Sequence, residues 1–314
     1  MHDAREEFAR DVRDGLGSKN QKTIPPKHLY DPLGSALFEA ITHLPEYGLS
    51  RADERVLRQL APGLPELLPG PVRVVELGSG TGTKTRCILE ALANGVQLDY
   101  HPIDVSPLAL AACRVELNGL CRMQAHLAPY AVGLREVVAR RHDQERLLVL
   151  FLGSTIGNFL YADAAAFLGE IRRTLRKGDA LLLGADLVKA PRTLLLAYDD
   201  PTGVTAAFNK NLLGRINREL GGNFHLPAFA HEARYSSETH SVEMHLRSLR
   251  LQEVSIPAAG LSVRFAEGET IWTESSRKFT PTELDELALS AGFEPRGRWV
   301  DDDWPFAECF WIVP

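Results

Sequence analysis

Glycine at every second position from Gly78 to Gly82, closing the run V-V-E-L-G-S-G-T-G from Val74 to Gly82, constrains this 314-residue chain more than any other feature. An apolar stretch that ends in an acid and then in alternating glycines fits a strand tip against which a ligand must lie, an approach only glycine permits. The next apolar segment, ending at Ile103, delivers Asp104, an acid suited to accepting hydrogen bonds from both hydroxyls of a ribose. Together these describe a nucleotide-cofactor pocket. An isolated glycine often marks a turn without a ligand, but three glycines followed by a correctly placed acid fit that plain reading poorly.

The spacing then bears on which cofactor. A dinucleotide site uses G-x-G-x-x-G to bring a helix N-terminus onto a pyrophosphate. Here the pattern is G-x-G-x-G with Glu76 two residues ahead, the arrangement of class I S-adenosylmethionine-dependent methyltransferases, so S-adenosylmethionine is expected, with NAD as the alternative.

A net charge of -6 gives no footprint for nucleic acid or an anionic membrane, so no nucleic-acid and no membrane partner is expected and a small molecule is favoured. Cys87, Cys113, Cys121 and Cys309 are scattered without C-x-x-C or Cys/His spacing, which reads as reduced thiols rather than a zinc site or disulfide framework. His231, His240 and His245 come nearest to a cluster, yet no partner stands at ligand spacing, and no metal is expected. The charged N-terminus, and the lack of an apolar stretch of the ~20 residues that span a bilayer, predict a cytoplasmic protein.

From Val72 to about Leu187, short apolar runs alternate with helical segments, which predicts parallel βαβ units. The expected strands are Val72 to Leu77, Val96 to Ile103, a weak one near Gln124 to Leu127, Leu147 to Leu152 and Ala180 to Asp186, with a helix from Thr83 to Ala93. Thr280-Pro281-Thr282-Glu283 forms a capping box for a helix to about Ala291, and Arg296 to Val300 with Glu308 to Val313 form a closing hairpin. Residues 1 to 65 and 196 to 279, with a helix through Ala206 to Leu220 and strands such as Ser241 to Leu251, do not fit this sheet. The expected architecture is α/β: a doubly wound class I methyltransferase sheet of mostly parallel strands (66–195 and 280–314). A second, smaller α+β substrate-binding domain (1–65 and 196–279) closes over its crevice.

Outside the glycine run, F-L-G-S-T-I-G-N-F (151–159) places Asn158 in a small-residue loop after the fourth strand, where its amide can both donate and accept. A turn or helix start built on asparagine fits these residues equally well. Tyr47 and Tyr198 stand in contexts where a tyrosine is more often core than site. Glu274 and Ser276 share a face by period two, which alone reads as a solvated strand face. Gly153-Ser154 is not a G-x-S-x-G elbow, and covalent hydrolysis is disfavoured.

Taken together, the runs I-P-P-K-H-L-Y-D-P-L-G-S-A-L-F (24–38), L-P-E-Y (44–47), V-E-L-G-S-G-T-G-T-K-T-R (75–86), F-L-G-S-T-I-G-N (151–158), A-Y-D-D-P-T-G-V-T-A-A-F-N (197–209) and T-E-S-S-R-K-F (273–279) resemble the histidine-specific Nα-methyltransferases of ergothioneine biosynthesis. The resemblance covers nearly the whole chain. It implies transfer of three methyl groups from S-adenosylmethionine to the α-amine of free histidine, giving trimethylhistidine (hercynine). Catalytic positions fall on Tyr30 and Asn158, and substrate contacts on Tyr47, Gly153, Asn158, Tyr198, Thr205, Met244, Glu274 and Ser276, with Phe38 nearby. Cofactor contacts fall on Glu76, Gly78, Ser79, Gly80, Thr81, Lys84, Arg86, Asp104 and Tyr130. In these roles Asn158 and Tyr198 hold the α-amino and carboxylate ends, Glu274 and Ser276 pair with the imidazole nitrogens, Met244 lines the ring, and Tyr47 assists through water. Methyl transfer is an in-line displacement at a sulfonium, so the chief task is to align a neutral amine lone pair. A monomer acting on a small amino acid is expected.

The chain departs from the family pattern at Gly48, where a second tyrosine often follows Pro-Glu-Tyr, and at Pro129-Tyr130, where an acid–aromatic pair often meets the adenine. Rival readings are an N-methyltransferase of another aromatic amino acid, such as tryptophan or tyrosine, a NAD-dependent oxidoreductase, and a catalytically silent binding protein. Against the first, Glu274 and Ser276 stand, because an apolar ring would leave Glu274 unpaired.

Overall fold

A computed structural model describes residues 2–93 and 97–314, which divide into two compact units, Met1–Gly48 with Lys189–Arg277 and Leu49–Val188 with Lys278–Pro314. No helix among the described residues is long and apolar enough to cross a membrane.

The second unit is built on a sheet whose strands run, in spatial order, Glu294–Val300, Phe306–Ile312, Ala180–Asp186, Arg146–Phe151, Val72–Leu77, Leu98–Asp104 and Cys121–Met123. His126–Leu127 adds a short parallel pairing to Ile103 and Asp104. The pairings from Ala180–Asp186 through Cys121–Met123 are parallel, and only the terminal hairpin enters antiparallel, with Glu308 opposite Gly184. This is the expected doubly wound α/β sheet, and the strand order reverses at Val72–Leu77, the topological switch point where such sheets bind ligands.

Period-two alternation sorts the core into two layers. Val75, Leu77, Val149 and Leu183 face the helices Tyr130–Ala139, Tyr161–Thr174 and Pro281–Ala291, while Val74, Tyr100, Leu148 and Phe310 face Leu49–Leu60 and Thr85–Ala93. The capping box at Thr280 is present in full: its hydroxyl accepts from Glu283 N while Glu283 accepts from the Thr280 backbone.

Most expected elements fall within a few residues of their places. The second strand begins at Leu98, and Val96, where it was expected to start, lies outside the described residues. The weak strand near Gln124–Leu127 is two short pieces, and Ser241 to Leu251 ends as a strand at Ser248 before a separate strand, Gln252–Ile256. Residues 49–65, grouped in the sequence with the outer segment, belong to the sheet unit. Val56, Leu57 and Leu60 of the helix Leu49–Leu60 bury against Val74, Ile88 and Leu148, a packing that an unchanged helical pattern does not announce.

The first unit carries a four-stranded sheet in the order Lys22–Thr23, Thr270–Arg277, Ser241–Ser248, Phe229–Ser236, and a hairpin of Gln252–Ile256 with Leu261–Phe265. Its helices include Pro32–Thr42, capped by Asp31, and Val204–Leu220, which closes on Gly221 in the left-handed region.

Candidate active site

In the sheet unit, the switch point brings the glycine run and the Gly153 loop to adjacent, parallel strand tips. Gly78, Gly80 and Gly82 all hold positive φ (79°, 51° and 76°), a conformation L side chains rarely adopt. A β-carbon on Gly78 would stand 2.9 Å from the Tyr130 hydroxyl, and one on Gly82 2.8 Å from Cys113 Sγ, whereas one on Gly80 would meet nothing within 4 Å. Gly78 and Gly82 therefore seat the loop against the protein, and Gly80 presents bare backbone to the open side, a cradle that suits a nucleoside.

Asp104 is turned toward that loop. Its Oδ2 accepts from Gly80 N at 3.3 Å and its Oδ1 from Ser106 N at 2.8 Å. The Tyr130 ring packs edge-on to Phe151, and burial, reinforced by the charge of Asp104, pushes its phenol up to about 12, so it stays neutral and aromatic beside Gly78. Ser79 is buried within the run, and the Thr81 hydroxyl lies 3.0 Å from that of Thr83 at the surface.

Three other expected cofactor residues are engaged within the protein. Glu76 is buried, accepting the Thr85 hydroxyl on both oxygens at 2.8 Å and the Tyr100 hydroxyl on Oε2. Period two points it at the Thr85–Ala93 layer rather than at the strand tip, and burial pushes its carboxyl up to about 7 against those hydrogen bonds. Arg86 pairs with Glu116, Nε to Oε1 at 3.0 Å, and Lys84 Nζ lies 2.6 Å from Asp53 Oδ2. In the neighbouring loop Ser154 sits at φ 62°, its hydroxyl accepting from Asp186 N at 2.8 Å. The short helix Thr155–Asn158 that follows leaves the half-buried Asn158 amide with no hydrogen bond among the described residues.

In the outer unit the expected substrate residues converge on one buried face. Glu274 pairs in register with Met244 and Ser276 with Val242, so these four side chains share a side of the sheet, and all are buried. A bulge between Trp272 and Glu274 sets that phase, and Trp272 Nε1 donates to the Glu274 carbonyl at 2.8 Å. The Tyr198 hydroxyl donates to Ser276 Oγ at 2.8 Å, and its ring meets that of Tyr47 edge-on with centroids 6.1 Å apart. Phe38, Phe208 and Tyr30 continue the aromatic wall, with Tyr30 the exposed member. Thr205 opens its helix with its backbone N–H on Asp200 Oδ1 at 2.8 Å. Burial alone would raise the Asp200 carboxyl, but hydrogen bonds from Thr202, Thr205 and Val204 outweigh it and hold it at about 2.

Residues of the runs 197–209 and 273–279 thus come together with the strand Ser241–Ser248 in one polar-in-apolar face. Residues 8–312 match the family model of histidine-specific, S-adenosylmethionine-dependent methyltransferases. The chain belongs to this family. It is similar to a histidine N-alpha-methyltransferase of Mycolicibacterium smegmatis, 42% identical over 95% of this chain and 92% of the relative, and to one of Mycobacterium tuberculosis, 41% identical over 94% and 91%. Ergothioneine biosynthesis protein 1 of Neurospora crassa is 29% identical over 89% of this chain and 32% of its own length.

Within this histidine-specific methyltransferase, the supporting residues are ones to which the sequence assigns no such role, among them His231, considered there only as a metal ligand. His231, held neutral by burial, donates through Nε2 to the Tyr198 carbonyl at 2.7 Å and accepts from Asn209 Nδ2 on Nδ1 at 2.9 Å. Asn209 Oδ1 in turn accepts the Thr273 hydroxyl at 2.7 Å, so one chain of hydrogen bonds ties Tyr198 to the strand that bears Glu274. On the sheet side Asp53 and Glu308 were missed, although each carries a signal. Asp53 falls on the apolar face of its helix among Leu49, Ala52, Val56 and Leu57, and Glu308 is the lone charge in F-A-E-C-F-W.

Proposed function

We propose that this enzyme transfers methyl groups from S-adenosylmethionine to the α-amine of free L-histidine, up to three times, giving trimethylhistidine (hercynine) for ergothioneine biosynthesis. The observation that carries the choice of histidine is the face shared by Glu274, Ser276 and Met244: a buried carboxylate and hydroxyl set beside an apolar side chain, which suits a ring with N–H groups on its edge. Kinship with histidine N-alpha-methyltransferases along nearly the full chain supports the same reading.

In this reading the sheet unit holds the cofactor, with bare backbone at Gly80, the Asp104 carboxylate for the ribose and Tyr130 beside the adenosyl group. S-adenosylmethionine supplies an electrophilic methyl group on its sulfonium when bound. Asn158 takes the α-amino group and orients its lone pair, and Tyr198 and Tyr47 attend to the carboxylate end. No charged base stands in the Gly153–Asn158 loop, so each ammonium proton leaves to water before transfer, and alignment is the main contribution of the protein. The enzyme works as a monomer in the cytoplasm, with no nucleic-acid or membrane partner, an assignment checked by light scattering and fractionation.

The direct test is mass spectrometry after incubation with S-adenosylmethionine and all twenty amino acids. Histidine alone should gain one, two and three methyl groups. Equal methylation of another amino acid would refute the substrate assignment.

A further inference from the structure

Beneath the two loops of the sheet unit, an expected cofactor contact, Lys84, is joined by two buried acids that the reaction as described does not use. Asp53, from the helix Leu49–Leu60, and Glu308, from the strand Phe306–Ile312, are both fully buried at 0% exposure, and Lys84 stands two residues beyond the glycine run. Lys84 Nζ lies 2.6 Å from Asp53 Oδ2. The cluster abuts the substrate loop: a β-carbon on Gly153 would stand 3.6 Å from Lys84 Nζ and 4.0 Å from Asp53 Oδ2. One on Gly184 would stand 2.7 Å from Glu308 Oε1 and 3.0 Å from Gly153 N, so the missing side chain at Gly184 is what admits Glu308 to this place.

Two buried carboxyls beside one ammonium pose a charge problem. Glu308 lies within hydrogen-bonding reach of Asp53, yet neither Glu308 oxygen, nor Asp53 Oδ1, receives an N–H or O–H donor among the described residues. Two carboxylates cannot meet in this way without a proton between them. Burial, then the neighbouring charge of Asp53, hold the Glu308 carboxyl far above the usual carboxylate range. Burial works to lower the Lys84 ammonium, but its attraction to Asp53 prevails and keeps it charged. Asp53 uses one of the three N–H donors of Lys84, whose side chain remains one-third exposed.

We propose that Asp53 and Glu308 are positioning residues: a proton shared between their carboxyls fixes Asp53, Asp53 holds Lys84 behind Gly153, and Lys84 offers its remaining N–H donors to the carboxylate end of the cofactor. The proposal rests on the S-adenosylmethionine reading and adds to it the two residues that aim the lysine. It also explains why a protonated acid, rather than a hydrophobic residue, fills the space over Gly184: an apolar side chain would leave Asp53 Oδ1 buried without a donor.

The test uses two probes that differ only at the end in question, S-adenosylhomocysteine and 5′-methylthioadenosine, which lacks the amino-carboxyl group. Calorimetry on the full chain should show that Glu308→Ala and Asp53→Asn weaken S-adenosylhomocysteine at least about tenfold while 5′-methylthioadenosine changes less than about twofold. Glu308→Gln, whose amide N–H can replace the shared proton, should bind S-adenosylhomocysteine within about threefold of the parent. Unchanged S-adenosylhomocysteine affinity in Glu308→Ala would overturn the proposal, as would parallel loss of both probes, which marks a merely structural role. A parent that binds neither probe would instead overturn the cofactor reading itself.

Discussion

Tyr198 Oη donates a 2.8 Å hydrogen bond to Ser276 Oγ, joining the end of the helix Pro191–Tyr198 to the strand Thr270–Arg277 inside a buried aromatic setting. The bond fixes a hydroxyl on the same face as the Glu274 carboxylate, and the His231 contact to the Tyr198 carbonyl fixes the tyrosine from behind. Side chains far apart in sequence are thereby held in one arrangement before any substrate arrives, which is where orientation gains its rate advantage.

Removing that bond should therefore be felt in substrate binding. Tyr198→Phe keeps the ring and its packing on Tyr47 but takes a donor from buried Ser276, a loss of about 1–3 kcal/mol. Steady-state kinetics should show a histidine KM raised about tenfold or more, with the cofactor KM nearly unchanged. A normal histidine KM would mean the hydroxyl pair does not face the substrate.

Asp104→Ala should weaken S-adenosylmethionine by at least about tenfold, since charge-assisted hydrogen bonds to ribose contribute about 1.5–3 kcal/mol each. The same change frees Gly80 N and Ser106 N from their acceptor, so the loop loosens as well. Calorimetry reads the affinity directly, and an unchanged value would remove Asp104 from the site.

Gly80→Val should abolish cofactor binding and leave the circular dichroism spectrum intact. Beyond its chain neighbours, no atom of the described residues lies within 4 Å of the added β-carbon, so the side chain enters the open side of the loop, while φ of 51° adds backbone strain of about 1–2 kcal/mol. Binding that survives in this variant would place the cofactor elsewhere.

Glu76 makes the stability of the fold depend on pH in a defined direction. Its carboxyl is raised from 4.5 to about 7 in the native state, so the protonated form is favoured there. The contribution is present in full below about pH 4.5 and is lost as the pH rises through about 7. Relative to Glu76→Gln, the parent should lose up to about 3 kcal/mol across this window. Urea unfolding of both proteins at several pH values checks it, and a pH-independent difference would contradict it.

The fold was legible where one local signal sufficed. Alternating glycines after an apolar run, a capping box at Thr280 and an acid after Ile103 each state their own geometry, and the sheet unit follows from them. What escaped was set by burial and long-range packing. Glu76 reads as a pocket residue until the alternation of Val74, Val75 and Leu77 is laid on the two helix layers, which turns it toward Tyr100 and Thr85. Arg86 likewise reaches Glu116, a partner thirty residues on that no spacing rule identifies. The face of Glu274, Ser276 and Met244 was half visible: period two joins the first two, but only the register of Thr270–Arg277 against Ser241–Ser248, with its bulge, adds the third.

Substrate choice is the central claim, and Glu274 is where it is most exposed to test. Glu274→Ala removes the carboxylate meant to accept an imidazole N–H, and with it the desolvation penalty that excludes apolar rings; adding Met244→Val widens the wall opposite. The decisive measurement is the ratio of kcat/KM for histidine to that for tryptophan in the parent, in Glu274→Ala and in the double variant. The ratio should be large in the parent, fall by two or more orders of magnitude (roughly, for loss of a buried polar contact) in Glu274→Ala, and fall again in the double variant. A ratio that holds constant across all three would show that Glu274 does not read the ring, and would contradict the assignment of histidine.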